Sequence, residues 1–349
     1  MRDGARQKLR EQNSRKTSQI EHPRRRPHVP TMKKVLITGA TGQIGSELTP
    51  ILRNRYGNGN VIAAGHRRDL DPEMAESGPS CRLDVRDAAA LVAVVREHRV
   101  DTIFHLASLL STVAEEKPQL AWDINMNGLL NVLEIARSHH CSVFFPSSIG
   151  AFGPLTPPEH TPQDTIQHPS TMYGVTKVSG ELLCDYYHVR FGLNTRGVRY
   201  PGLISYKTPP GGGTTDYAVE IFHAALSSKH FSCPLTEDTR LDMMYMPDAI
   251  NAAITLMEAD GEQLIHRNGY NVTAMSLAPR DIAAEIERHV PEFTIDYRID
   301  PVRQAIAKSW PRYMDDSAAR EEWGWRPEYD LSSMVKDMLE KLSNRKGIA

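Results

Sequence analysis

KKVLITGATGQIG, residues 33–45, decides the fold. Residues 33–38 lead from two lysines into an apolar run and read as a strand buried on both faces. Gly39, Gly42 and Gly45 follow at three-residue spacing, and residues 43–55 continue as an amphipathic helix. Each glycine meets a steric need at a strand that turns directly into a helix. Gly39 makes the tight turn, Gly42 lets the backbone approach a pyrophosphate, and Gly45 lets the helix pack close on the strand. The helix start offers free amides and a positive dipole end to phosphate oxygens. With Gln43 and Ile44 between them, these glycines are candidate dinucleotide-binding residues.

Outward from this unit, short β-rich runs alternate with helical stretches. Strands are expected at 60–64, 81–83, 102–106, 142–146 and 194–199, and helices at 88–98, 118–138 and 173–191. Strands joined by crossover helices imply an α/β, Rossmann-like, doubly wound parallel sheet. The alternation breaks near Ser205, where KTPPGGGTT (207–215) is a loop by composition. Helices near 216–228, from Pro247, from Pro279 and from Leu331, with strands near 270–272 and 294–297, then imply a smaller mixed α/β lobe. The expected division is a dinucleotide-binding domain over 33–204, its sheet open to completion by later segments, and a mainly substrate-binding lobe over 205–349.

Charge separates a further part. The chain of 349 residues has a formal charge of −2, but residues 1–32 hold nine Arg or Lys against three acids. That segment is therefore +6 and the remainder −8. An acidic body disfavours nonspecific nucleic-acid binding, which depends on phosphate neutralisation. The basic segment reads either as a mitochondrial transit peptide or as a disordered extension ahead of a start at Met32, with the matrix or the cytoplasm as the matching location. No apolar run is long enough to span a bilayer. Four scattered cysteines suit a reducing compartment, and no metal-ligand pattern is present.

Three further groups carry chemistry. The acid expected on the ribose is missing: Ala64, Gly65 and His66 occupy its zone, followed by Arg67 and Arg68. Those two arginines suit a 2′-phosphate or are simply solvated loop cations. Asp84 and Val85, after the third strand, are placed against the adenine, although Asp84 also suits a helix cap. Tyr173 and Lys177, in YGVTK, share a helix face. An ammonium beside a phenol stabilises the phenolate, so Lys177 is expected to lower the pKa of a Tyr173 base. Ser148, ending the fifth strand, can hold the substrate oxygen.

Together, TGATGQIG, Asp84–Val85, residues 105–108, Ser147–Ser148 and YGVTK resemble the extended short-chain dehydrogenase/reductase superfamily. YGVTKVSGELLCDYY (173–187), RYPGLISYKTPPGGGTTDYA (199–218), SWPRYMDD (309–316) and EEWGW (321–325) are similar to its NAD-dependent L-threonine 3-dehydrogenases. The resemblance, over about 33–327, implies oxidation of the threonine β-hydroxyl by NAD to 2-amino-3-ketobutyrate, without a metal. It implies Tyr173 as base, Lys177 as its partner and nicotinamide-ribose ligand, and Ser148 orienting the hydroxyl. Leu106, Ala107, Asn125, Pro201, Leu203 and Ile204 would join the cofactor site, Asn125 by supporting the lysine, and His66 would take the ribose. Ser111, Thr214, Thr215 and Trp310 would hold L-threonine, and the 207–215 loop would close over it. The bland readings are a cap for Ser111, a helix-interior bond for Asn125 and core packing for Trp310.

Rival functions are a nucleotide-sugar epimerase or dehydratase on the same scaffold and a redox-sensing NAD-binding protein without turnover. The superfamily also implies a homodimer, with the helices near 118–138 and 173–191 paired across a twofold axis.

Overall fold

The computed structural model describes residues 32–209, 211 and 213–346. Residues 1–31, Pro210, Gly212 and 347–349 lie outside them, and with them most of the basic segment and part of the expected loop.

The strands are β1 (Val35–Thr38), β2 (Val61–Gly65), β3 (Ser80–Arg82), β4 (Thr102–His105), β5 (Ser142–Ser148) and β6 (Thr195–Tyr200). They continue as β7 (Gly202–Ile204), β8 (His230–Cys233), β9 (Leu241–Tyr245), β10 (Tyr270–Asn271), β11 (Met275–Leu277) and β12 (Thr294–Tyr297). Among the described residues, seven form one sheet in the order β10-β6-β5-β4-β1-β2-β3. All its pairings are parallel. The order reverses between β1 and β4, which is where such sheets open a crevice at their carboxyl ends.

Alternation along the strands explains the layers. Val35, Ile37, Val61, Ala63, Phe104, Phe144 and Val198 belong to one core. Leu36, Ile62, Ala64, Ile103, Val143 and Phe145 belong to another. Successive side chains point to opposite faces, so a strand apolar at every position must be covered twice. Helices Gln43–Tyr56 and Met246–Glu258 cover the first face. Helices Ala88–His98, Gly128–His139 and Met172–Phe191 cover the second. Phe104 and Phe144 meet with ring centroids 5.3 Å apart, and truncating either to Ala would cost roughly 3–5 kcal/mol. Met172–Phe191 ends at Gly192, whose φ of 69° places it in the left-handed region that glycine adopts without penalty.

One expected element is corrected. The stretch 118–138 is not a single regular helix. It runs as Pro118–Trp122, a π-helical turn Asp123–Asn127, then Gly128–His139. The wider turn breaks the 3.6-residue register, and Asn125 is buried within it.

The second layer contains a mixed sheet, in which β9 pairs parallel with β7 and antiparallel with β11, and a parallel pair, β8 and β12. Helices Tyr217–Ser227, Pro279–His289 and Leu331–Lys346 pack around a core of Phe222, Tyr245, Ile286 and Met338. Chain order and layer order differ: β7 follows β6 at once but joins the small sheet, while β10 returns to extend the large one. Among the described residues no helix is long and apolar enough to cross a membrane. The four cysteines are free thiols, three of them buried.

Candidate functional site

The crevice at the carboxyl ends of β1, β4 and β5 has two connected chambers. The outer one is bordered by Gly39, Gly42 and Gln43, by His66, Arg67 and Arg68 after β2, and by Asp84 and Val85 after β3. Leu106 and Ala107 after β4 complete that wall. The inner one passes Ile44 and Gly45 to Ser148, Tyr173 and Lys177, and is flanked by Pro201 and Leu203. Its far side carries Ser111, Thr214, Thr215 and Trp310.

Two expected lining residues do not reach this space. Ile204 is wholly buried in the core of the second layer. The amide of Asn125 is fully engaged: Oδ1 accepts from Leu109 N at 2.8 Å, and Nδ2 donates to Leu109 O and to Thr176 Oγ1. Asn125 therefore holds the segment that presents Leu110 and Ser111 to the inner chamber. Asp84 does not cap the following helix, because Asp87 does that by accepting from Ala90 N. Asp84 instead pairs with Arg86 at 2.6 Å and lies 3.4 Å from His66 Nε2. Ser111 is not a cap either: it is the first helical residue, after Leu110, and is buried. Trp310 both packs in the apolar core and lines the chamber.

Sequence reading missed Asp216, which borders the inner chamber and accepts from Gly213 N at 2.8 Å. A bond that pins a glycine-rich turn leaves no periodic signal. It also missed Val113 and Ile124, whose apolar side chains read as ordinary helix positions but border the outer chamber.

The glycines decide whether a dinucleotide fits. A Cβ on Gly45 would sit 2.4 Å from Gly39 O and 2.7 Å from Ala40 Cα. One on Gly39, at φ 71°, would sit 2.8 Å from Ala107 N. Gly42 is the N-cap of Gln43–Tyr56 in extended conformation, with no side chain satisfying the helix amides. No acid lies in that first turn. A bare, positive helix end faces the chamber, with no room for side chains at Gly39 and Gly45, and this suits a pyrophosphate.

At the reacting end, the side chain of Thr171 accepts from Gly174 N at 3.1 Å and starts the helix that carries Tyr173 and Lys177. The Tyr173 ring lies over Gly150, where a Cβ would come within 3.1 Å of it. Ser148 shares a hydrogen bond with the phenol, and its Oγ accepts from Gly150 N at 3.1 Å. Lys177 Nζ donates to Pro146 O at 2.7 Å and stands 5.3 Å from the Tyr173 ring centroid.

The electrostatic expectation is reversed in the polypeptide alone. Burial pushes the Tyr173 phenol up to about 12, opposed only by the Ser148 hydrogen bond. Burial also brings the Lys177 ammonium down to about 8, while Glu181 and Cys184 hold it up. The lysine spends its bond on the Pro146 carbonyl, and removal of the phenolate from water outweighs its proximity. Burial likewise pushes His105, behind the crevice, down to about 3, so this imidazole is neutral.

Comparisons with known proteins agree with this geometry. The NAD dependent epimerase/dehydratase family matches residues 35–273. An uncharacterized epimerase/dehydratase of Staphylococcus haemolyticus is 53% identical over 90% of this chain and 99% of its own length. The solved structure of L-threonine dehydrogenase from Clostridium difficile has a TM-score of 0.88 and 59% identity, covering 91% of this chain and 99% of that one. A GalE-like L-threonine dehydrogenase from Cupriavidus necator, in its holo form, has a TM-score of 0.86 and 51% identity over 88% and 99%. With its glycine cradle, its Ser148–Tyr173–Lys177 group and a matched segment that covers most of the described residues, the chain belongs to the NAD dependent epimerase/dehydratase family.

Proposed function

We propose that this protein is an NAD-dependent L-threonine 3-dehydrogenase that oxidises the substrate β-hydroxyl to 2-amino-3-ketobutyrate. One observation carries the reading: Ser148, Tyr173 and Lys177 border a single chamber together with Ser111, Thr214, Thr215 and Trp310. The chemistry that NAD supplies when bound is acceptance of the hydride from Cβ. Ser148 holds the substrate hydroxyl, and Tyr173 takes its proton as the C–O bond becomes a carbonyl, so a hydride (two electrons and a proton) leaves Cβ–H while a second proton leaves O–H. Lys177 keeps a positive charge beside the phenolate. Thr214 and Thr215, fixed by the Gly213–Asp216 bond, bind the amino acid, and Trp310 excludes water. The test is threonine-dependent appearance of NADH, with L-serine and D-threonine as controls. No turnover with L-threonine would sink the assignment.

A nucleotide-sugar epimerase would return its hydride and show no net NADH. It would also need cations for a diphosphate in the inner chamber, where Lys177 is the cation among the described residues bordering it. A redox sensor would bind NAD without turnover, so the same assay separates it.

We further propose a homodimer, which an exposed apolar helix stripe supports. Leu182 and Val189, exposed by 61% and 85%, share a stripe of the Met172–Phe191 helix with Val175 and Tyr186. Trp122 and Leu130 are exposed on the neighbouring helical run. Leu182→Glu should yield a monomer by solution mass measurement. Location rests on residues 1–32, outside the described residues except for Met32. A fluorescent reporter fused behind them distinguishes matrix import from residence in the cytoplasm, and deletion of 1–31 should leave activity intact.

A further inference from the structure

The outer chamber ends on an unusual charge arrangement. In a dinucleotide fold the second strand commonly ends in an acid that bonds the ribose diol and repels a 2′-phosphate, or is followed by an Arg that accepts one. Here β2 ends on Gly65, where a Cβ would sit 3.1 Å from Thr41 Cγ2 and 3.2 Å from Arg68 O. A side chain at this position would press on both neighbours, and the glycine there carries no carboxylate. The next three residues, His66, Arg67 and Arg68, all border the chamber. Among the described residues neither Arg67 nor Arg68 has a hydrogen bond or ion pair, and both are exposed. The acid that is present, Asp84, is already committed: Arg86 Nη2 reaches it at 2.6 Å, Arg86 Nε at 3.0 Å, and His66 lies 3.4 Å away.

We propose that this end of the crevice accepts a 2′-phosphate, so that the protein uses NADP as well as NAD, with Arg67 and Arg68 as the residues that set the preference. The inference rests on the dinucleotide reading above and deepens it. Two free guanidiniums next to the ribose position offer forked donors to a dianionic phosphate. The neutralised Asp84 supplies little repulsion. Their exposure limits the effect to roughly tenfold rather than thousands.

The test is calorimetric titration of the full chain with 5′-AMP and with adenosine 2′,5′-bisphosphate, which differ only in the 2′-phosphate. The native protein should bind the bisphosphate at least as tightly as 5′-AMP. Arg67→Ala/Arg68→Ala should weaken the bisphosphate about tenfold more than 5′-AMP and lower the NADP-to-NAD ratio of kcat/KM to match. Tighter binding of 5′-AMP by the native protein would overturn the proposal. Equal weakening of both nucleotides in the double variant would also overturn it, because the arginines would then serve the 5′-phosphate. Failure of both nucleotides to bind would remove the dinucleotide reading together with this one, whereas binding of 5′-AMP alone removes only this one.

Discussion

Glu181→Gln tests whether the reactive helix is organised from beneath. Tyr173, Lys177 and Glu181 recur at four-residue intervals and share one stripe of Met172–Phe191. The Glu181 side chain is 4% exposed. Its carboxylate accepts from Arg199 Nη2 at 2.8 Å, from Arg199 Nε at 3.1 Å, from Gln167 Nε2 at 2.9 Å and from the Ser147 hydroxyl. Opposite unit charges at 2.8 Å attract by about 6 kcal/mol at an effective dielectric near 20, and desolvation offsets much of that. Glutamine keeps the shape but leaves the Arg199 guanidinium buried without its counter-charge, at a cost of about 3–5 kcal/mol. At roughly 2.1 cal/mol/K per residue over a folded body of this size, the thermal midpoint should fall by about 5–8 °C. A second readout separates this from plain destabilisation. The Glu181 charge holds the Lys177 pKa up, so its loss moves Lys177 further below about 8. The ammonium persists below that pKa and is lost above it, so the break in the pH profile of kcat/KM moves to lower pH. Adding Arg199→Met should restore part of the stability, since no unpaired charge remains. An unfolding free energy within about 0.5 kcal/mol of the native protein, with an unmoved pH break, would refute this reasoning.

The other expectations concern the base, its titration and the phosphate cradle. Tyr173→Phe should lower kcat by about 10²–10⁴ while leaving calorimetric NAD binding measurable; full activity would remove Tyr173 as the base. In the native protein kcat/KM should rise about tenfold per pH unit on the acid side of neutrality, because the phenolate is the working form and burial pushes the phenol up to about 12. The rise should level near pH 8, where Lys177 begins to lose its proton; a flat profile below about pH 8 would contradict both roles. Gly45→Ala places a Cβ 2.4 Å from Gly39 O. It should cost about 1–3 kcal/mol of stability and weaken NAD binding at least about tenfold by isothermal titration.

What could be read from the chain follows the range of the interactions involved. The strand, glycine turn and helix at Val35–Tyr56 are local, as is the four-residue repeat that places Tyr173 above Lys177. The helices Ala88–His98 and Pro279–His289 begin at the residues expected, although the cap of the first is Asp87 rather than Asp84. What escaped depends on distant partners. The strand near 270–272 is expected from the chain, but not its partner: β10 pairs with β6 across about seventy positions, as in Tyr270 with Val198. The π turn at Asp123–Asn127 contains Asn125, whose bonds to Leu109 and Thr176 are not visible along one helix. The grip of Arg199 on Glu181 likewise links two elements that sequence spacing treats separately.

Tyr173 shows why position and chemistry separate. Four-residue spacing brings the ammonium near the ring correctly, but the sign of the pKa shift is set by how much water the fold removes. Lys177 is itself buried and bonded to Pro146 O, so its charge is directed at a carbonyl rather than spent on the phenol. A phenol held near 12 and an ammonium held near 8 make a pair that is inert at neutral pH until something repositions the lysine or adds positive charge beside the phenol. The chamber that would supply this is the one bordered by both side chains and the glycine cradle. Tyr173 should therefore titrate lower with NAD bound than without it, and NAD binding should release a fraction of a proton near pH 8. Calorimetry in buffers of different ionisation enthalpy measures that proton directly. Binding with no proton release, in a protein that still oxidises threonine, would show that the base is activated only after the substrate arrives.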